Sequence, residues 1–394
     1  MQPKFMNEVH KMRNFTHTIL AAVLLLTVTH SICAQSTSQK ARMQQIRALY
    51  AKTVEKATQQ QKAKQNYITL ETKETTPNGE VATKNVEYIF DVKGNDCQLL
   101  MVRKTDKDSE SSRYREYLFE NGRLAFVYDR FSPEGLTSES RYYLTDGTPF
   151  WLLSKTTNPK TKKVTADHSQ ACNPLKDDMW MFIQAEGEYI AEGFESLVNT
   201  DQHLFELDTR PKQMTDAQQQ ARLSEVRKLY ANAQELSKQG IMGTKQNYGF
   251  ADIHIHYPKT NVQRHRTAEF ITGMELVETF DVYMPVVKFI RVKEENAYDE
   301  FLFEKGKLVF TFTTFKNVGN YKSGEYRFYL ADDDTNVPFW SLTRYFGDDS
   351  SKPVSEQEKP FDMNKLPPAI DWYNVAKNGY NLFNAFNSIH PMLD

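Results

Sequence analysis

The feature that most constrains the fold of this chain is a long-range internal repeat. The segment Lys64-Gln65-Asn66-Tyr67 returns unchanged as Lys245-Gln246-Asn247-Tyr248, and Pro149-Phe150-Trp151 returns as Pro338-Phe339-Trp340. The matching segments occur in the same order, 181 residues apart in the first case and 189 in the second. Self-similarity at nearly one long period predicts two diverged copies of one structural unit.

Each copy begins and ends with the hydrophobic pattern of a helix. Apolar residues at helical spacing follow Ser38 in the first copy and Thr215 in the second, and these two residues are the expected N-caps. Helical patterning returns around residues 179–198 and 368–389. The predicted organisation is a signal at residues 1–34, a first module at 35–199, a linker at 200–214 and a second module at 215–394.

The middle of each copy has the pattern of antiparallel strands. Asn121-Gly122 suits a two-residue hairpin turn, because both central positions of a type I′ turn need a positive φ. Pairing outward from this turn predicts one buried sheet face formed by Tyr117, Phe119, Leu124, Phe126 and Tyr128. With about six strands per copy, the predicted fold class is α+β, as two tandem helix–antiparallel sheet–helix modules with the helices on one sheet face.

The first 34 residues are typical of a secretory signal. A basic segment precedes the apolar run from Ile19 to Val28, and Ala34 offers a cleavage site before Gln35. The apolar run is too short to span a bilayer, so no transmembrane anchor is expected. Cys33 leaves lipid attachment open as a rival interpretation, although Ile32 replaces the small residue that usually precedes a lipidated cysteine. The protein is expected in the periplasm, on the cell surface or in the medium.

The short signal ending in Ala34-Gln35 resembles those of exported tandem-repeat proteins of unknown function from Bacteroidota-type bacteria. This resemblance covers only the leader and implies nothing about activity. The whole chain has 49 basic and 51 acidic residues, a formal net charge of −2. Such a balance gives no reason to expect nucleic acid as a partner.

Cys97 and Cys172 both lie in the first copy, and export allows a disulfide between them. The alternative is two thiols, and the second copy has no cysteine, so the fold does not require the bridge.

Three histidines give the sharpest local hypothesis. His254 and His256 alternate along a predicted strand, and a turn centred between Lys259 and Thr260 would place His265 opposite His254. Three imidazoles on one sheet face form a candidate zinc or copper site. The alternative is the polar outer face of a strand, since no carboxylate partner is evident from the sequence.

A second candidate is a ligand site in each copy, where Glu, Arg and Tyr share one strand face. An arginine fork can bind a ligand carboxylate or phosphate, and the alternative is a cross-strand ion pair. The candidate residues are Glu139, Arg141 and Tyr143 in the first copy and Glu325, Arg327 and Tyr329 in the second.

No catalytic or cofactor signature occurs in the sequence, so no cofactor is expected. The favoured function is a non-catalytic binding or scaffolding protein of the periplasm or cell surface, with a protein, peptide or glycan of the cell envelope as partner. The alternative is an exported hydrolase or metal-binding protein, with its site on the second copy or between the copies.

Overall fold

The computed structural model describes residues 36–75, 79–133, 135–174, 178–198, 214–241, 247–277, 282–318, 320–331, 337–348, 351–362 and 372–390. The expected signal at residues 1–34 and nearly all of the expected linker at 200–214 lie outside these ranges. Residues 36–198 are called the first half below, and residues 214–390 the second half.

The first half begins with helix α1 and ends with helix α2, with eight strands between them. Its elements are α1 (Thr37–Ala63), β1 (Tyr67–Thr75), β2 (Val81–Lys93), β3 (Asp96–Lys107), β4 (Ser111–Glu120), β5 (Arg123–Pro133), β6 (Thr137–Thr145), β7 (Thr148–Thr157), β8 (Val164–Ala171) and α2 (Asp178–Val198).

The second half has the same order of elements. They are α3 (Asp216–Ile241), β9 (Tyr248–Tyr257), β10 (Val262–Val277), β11 (Val282–Lys293), β12 (Ala297–Glu304), β13 (Lys307–Val318), β14 (Tyr321–Leu330), β15 (Pro338–Phe346), β16 (Pro353–Pro360) and α4 (Trp372–Ser388). None of these described helices is both long and apolar enough to cross a membrane.

The prediction of two separate α+β modules is wrong, because all sixteen described strands form one antiparallel sheet. The strands follow chain order outward from the centre to β8 on one side and to β16 on the other, and β1 pairs with β9 in the middle. Strands hold 54% of the described residues and helices 30%, so the protein is mostly sheet. The first strand of each half would otherwise present an unpaired edge, and pairing the two edges satisfies both.

Helices cover both faces of the sheet, not one face as expected. Adjacent residues along a strand point to opposite faces. Tyr88 and Tyr117 therefore lie in a core beneath α2 and α4, whereas Ile89 and Leu118 lie in a core beneath α1. The core under α2 and α4 is continuous across both halves, while α1 and α3 each cover a separate core. The two sides are called the α2/α4 face and the α1/α3 face below.

The hairpin at Asn121-Gly122 forms as predicted, with φ of 52° and 77°, but its side chains divide between the two faces. Phe119 pairs with Leu124 and Leu118 pairs with Phe126, so the register shifts by one residue. Because of this bulge, Phe126 and Tyr128 lie on the α1/α3 face, whereas Tyr117, Phe119 and Leu124 lie on the α2/α4 face. The prediction that all five form one buried face is therefore wrong. The second half has the same shift between Leu302 and Phe303.

The helix starts match the expected pattern with one correction. Ser36, not Ser38, caps α1, with its side chain accepting from the Gln39 amide in a capping box. Thr215 caps α3 as predicted, because its hydroxyl accepts from the Gln218 amide at 3.3 Å.

The β1–β9 contact, called the seam below, is symmetric about one residue pair. Leu70 pairs with Ala251, 181 residues later, and the same distance in sequence separates Tyr67 from Tyr248. The pair Tyr67–His254 at one end of the seam is therefore equivalent to the pair Tyr248–Lys73 at the other. The two halves meet as the subunits of a two-fold dimer would.

The repeated asparagines stabilise both ends of the seam. The Asn66 side-chain oxygen accepts a hydrogen bond from the His256 backbone amide at 2.8 Å. In the same way, the Asn247 side-chain oxygen accepts a hydrogen bond from the Thr75 backbone amide at 3.0 Å. Asn66 and Asn247 have φ of 54° and 67°, in the left-handed region that asparagine tolerates better than most residues. The asparagines of the repeated segments thus supply the clamp that joins the halves.

We expect Asn247→Ala to lower the free energy of unfolding by about 2 kcal/mol. About half comes from the lost hydrogen bond and the rest from alanine at positive φ. Asn247→Gly tolerates the backbone conformation and should lose only about 1 kcal/mol. Urea titration followed by circular dichroism measures both, with the exposed Asn296→Ala as control. Wild-type stability in both Asn247 variants would contradict a role for this clamp.

Candidate functional site

On the α1/α3 face, a polar band runs along the seam between the two separate hydrophobic cores. It is called the central strip and comprises Tyr67, Thr69, Glu71 and Lys73 of β1, Tyr248, Phe250, Asp252 and His254 of β9, and His265, Thr267 and Glu269 of β10. Tyr67 and Thr69 are buried, whereas Glu71, Lys73 and His265 are exposed and the aromatic rings of Tyr248 and Phe250 are half-buried. The strip therefore combines buried side chains, Tyr67 and Thr69, with charged side chains that are open to solvent, Glu71 and Lys73.

Two of the three predicted histidines converge with a carboxylate at one end of the strip. β9 and β10 pair in the register that sets His265 opposite His254. The Nε2 atoms of His254 and His265 lie 3.1 and 2.7 Å from the two carboxylate oxygens of Asp252. The imidazoles stack on each other with centroids 4.3 Å apart and planes 9° apart. These three side chains are called the Asp-His-His cluster.

His256 does not join this cluster. Its Nε2 lies 3.2 Å from the Asn261 side-chain oxygen, and its amide binds Asn66 across the seam. The sequence interpretation also overlooked Asp252, which alternates with His254 along the same strand face. That alternation is the sequence signal that places Asp252 beside His254.

The electrostatics of the strip favour a charged Asp252 and a neutral Tyr248 phenol. Burial would raise the pKa of Asp252, but contacts with His254 and His265 outweigh it and hold that pKa below its ordinary value. Burial, with the nearby carboxylates Glu269 and Glu71, raises the pKa of Tyr248 to about 12. Asp252 is therefore an anion at neutral pH and Tyr248 a hydrogen-bonding phenol.

The predicted Glu, Arg and Tyr groups mostly pair with one another or with the helices. Glu139 lies 3.4 Å from Arg141, and Glu325 lies 2.5 Å from Arg327. Tyr143 is 1% exposed and accepts a hydrogen bond from Arg47 of α1 at 3.3 Å.

The equivalent Tyr329 is 2% exposed, beneath the Arg227 guanidinium of α3. The two tyrosines are therefore packing residues under the helices, and ion pairing occupies the two arginines.

Each half contains a buried hydrogen-bond network centred on a glutamate of the sheet. Glu116 accepts hydroxyl hydrogen bonds from Tyr50 of α1 and Tyr114 and lies 3.3 Å from Arg103. In the second half Glu300 has the same partners, which are Tyr230 of α3, Tyr298 and Arg291. These networks attach α1 and α3 to the sheet, and their charges are already paired.

The α2/α4 face carries a further buried ionic group beneath α2. Glu186 binds Lys104 at 2.5 Å and also contacts Arg115 and the Tyr117 hydroxyl. Burial opposes ionisation, but these partners lower the pKa of Glu186 to about 2. The group is covered by the helix and serves to fix α2 on the sheet.

Cys97 lies in the core on the α2/α4 face, and Cys172 packs against the same core five strands away. Within the described residues, no disulfide joins Cys97 to Cys172. Cys97 is buried, and burial raises its thiol pKa to about 11, which disfavours the nucleophilic thiolate.

The comparisons with known proteins do not assign this site. No protein-family model matches the chain, and no curated protein matches it. A solved structure of kievitone hydratase from Nectria haematococca aligns over 75% of this chain and 87% of its own, with 7% identity and a TM-score of 0.12. A TM-score that low carries no argument about fold or activity.

A buried histidine ties the end of α4 to the first strand of the sheet. His390 contacts Glu74 of β1 through Nε2, and its Nδ1 lies 3.1 Å from the Phe386 carbonyl oxygen. Lys84 lies 3.5 Å from the other Glu74 oxygen. Burial opposes ionisation of Glu74, but the contact with His390 outweighs it and lowers the Glu74 pKa from 4.5 to about 2.

This contact predicts acid-sensitive stability. A carboxyl with a lowered pKa in the folded state stabilises fully above about pH 4.5, and that contribution disappears as the pH falls towards 2. Glu74→Gln should therefore flatten the fall in unfolding free energy over this range, by up to about 3 kcal/mol. Urea titrations at several pH values measure the slope, with the exposed Glu110→Gln as control. Equal slopes in wild type and Glu74→Gln would contradict the prediction.

Proposed function

We propose that this protein is a non-catalytic binding protein of the exported compartment, and that the central strip is its ligand surface. The observation that carries the proposal is the gap between the two hydrophobic cores on the α1/α3 face. There the strands are paired on both sides, yet most of their side chains are half-buried or exposed, with Tyr67, Thr69 and His254 as the buried ones. A polar surface on regular strands holds its groups in fixed positions for a ligand.

The chemistry of the strip suits a polar ligand with an apolar side, such as a peptide or a glycan of the cell envelope. Phe250 and Tyr248 offer half-buried rings, while Glu71, Lys73 and Glu269 offer both signs of charge. Half-buried aromatic rings provide contact area at low entropic cost, and flanking charges provide orientation.

A binding role is favoured over catalysis because the carboxylates of this region have partners. Glu269 lies 3.4 Å from Arg291, Glu87 lies 3.8 Å from Arg103, and Asp252 is held by two histidines. A general acid or base needs a proton to exchange near neutral pH, and the lowered pKa of Asp252 works against this.

Exchanging the charges of Glu71 and Lys73 tests this surface. The double variant Glu71→Lys with Lys73→Glu keeps the net charge and changes two exposed side chains, so stability should stay within about 0.5 kcal/mol. Immobilised wild type and variant are exposed to envelope extract, and the eluates are analysed for proteins and monosaccharides. We expect the variant to retain about tenfold less of the material captured by wild type, equivalent to 1.4 kcal/mol.

The matched control exchanges the exposed ion pair Lys322 and Asp348, which lies 3.2 Å apart near the β14–β15 side of the sheet. The control variant, Lys322→Asp with Asp348→Lys, should capture as much as wild type. Equal capture by the strip variant and the control would overturn the assignment of the ligand surface.

A further inference from the structure

The Asp-His-His cluster brings three metal-ligand atoms together on the strip. One donor atom from each of Asp252, His254 and His265 lies within 4.8 Å of the other two. Metal–nitrogen and metal–oxygen bonds of 2.0 to 2.2 Å place tetrahedral ligand atoms about 3.4 Å apart. The observed separations from the Asp252 oxygens, 2.7 and 3.1 Å, need to open by less than about 1 Å to meet this, and the exposed His265 ring must turn out of its stack with His254 so that both ring planes contain the ion.

A second observation points to a ligand at this position. His254 is nine-tenths buried, and its Nε2 has no hydrogen-bond partner although it lies 3.1 Å from Asp252. Its ring is held between Tyr67, with centroids 5.0 Å apart, and His265, so that this nitrogen has a fixed direction.

The fold itself does not require these residues. The symmetry of the seam gives an equivalent position at the other end, where Lys73 stands for His254 and Glu71 for Asp252. Thr83, which pairs with Lys73, stands for His265. The same backbone is thus built there without any imidazole, and the histidines are a local addition to one end of the strip.

We propose that Asp252, His254 and His265 bind a divalent transition metal, zinc or copper. Neutral imidazole nitrogens and a carboxylate are a ligand set that both ions accept. The inference rests on the proposed function because it places this ion at one end of the ligand surface. Three protein ligands leave a coordination position for a donor atom of the bound peptide or glycan, on the side where His265 is exposed.

The test is calorimetric titration of the purified full chain with ZnCl₂ and, separately, CuCl₂, using a purification tag without histidine. We expect one ion per chain and a visible ligand-field spectrum when Co²⁺ is bound in place of zinc. His265→Thr introduces the residue of the equivalent position at an exposed site, so its fold should be intact by circular dichroism. It should bind the ion at least about tenfold more weakly, since even changes beside a ligand cost about that much.

Three further variants complete the test. Asp252→Asn and His254→Ala should weaken binding at least as much as His265→Thr, whereas His256→Ala, which removes a histidine from the same strand, should bind as wild type does. Absence of stoichiometric binding would overturn the proposal, as would unchanged binding in His265→Thr or an equal loss in His256→Ala. The capture experiment uses Glu71 and Lys73, which are not ligands here, so each proposal can fail without the other.

Discussion

The pairing of β1 with β9 is the interaction on which the rest of this structure depends. Each half begins with a helix that leads into a strand whose outer edge has no partner within its own half. An unpaired edge exposes a row of amide and carbonyl groups, which favours association with any available strand. Joining the two edges removes both hazards at once. It also forces the halves into one sheet, since the hydrogen-bond register fixes their relative position.

The seam has different consequences on the two faces. On the α2/α4 face, α2 and α4 pack directly against each other, and Gly193 of α2 has no room for a side chain beside Ser388. That contact makes the buried core continuous. On the α1/α3 face the helices cover separate cores, because each crosses only the strands of its own half. The central strip therefore exists because the two halves share one core on the α2/α4 face but have separate cores on the α1/α3 face.

Sequence reasoning succeeded where local chemistry decides the structure. The turn at Asn121-Gly122 has the positive φ that these residues favour, and a correct turn centre between Lys259 and Thr260 gave the register of His265 against His254. Sequence reasoning failed for strands whose side chains have no hydrophobic pattern. β8 and β16 are almost entirely exposed, so they lack the alternation that identifies strands, and six strands per half were expected instead of eight.

The seam and the bulges were unpredictable for related reasons. Pairing of β1 with β9 is made by backbone groups, which every residue except proline carries, so the sequence does not mark which edge will be used. A bulge moves the hydrophobic set of a strand by one position, and an alternating pattern of large residues on both faces fits either register. Asp252 was overlooked because a carboxylate on an exposed strand face is ordinary until its neighbours across the sheet are known.

A two-fold arrangement within one chain has a property that a homodimer lacks, since its two equivalent positions can diverge. The same asparagine clamp occurs at both ends of the seam, and each makes a hydrogen bond to the opposite half. The positions just inside them have no such requirement, and one end holds Glu71 and Lys73 where the other holds Asp252 and His254. The fold fixes the backbone at both ends equally, so it does not itself account for the difference in side chains. For this reason the asymmetry of the seam, more than the identity of any single residue, directs the functional argument to the central strip.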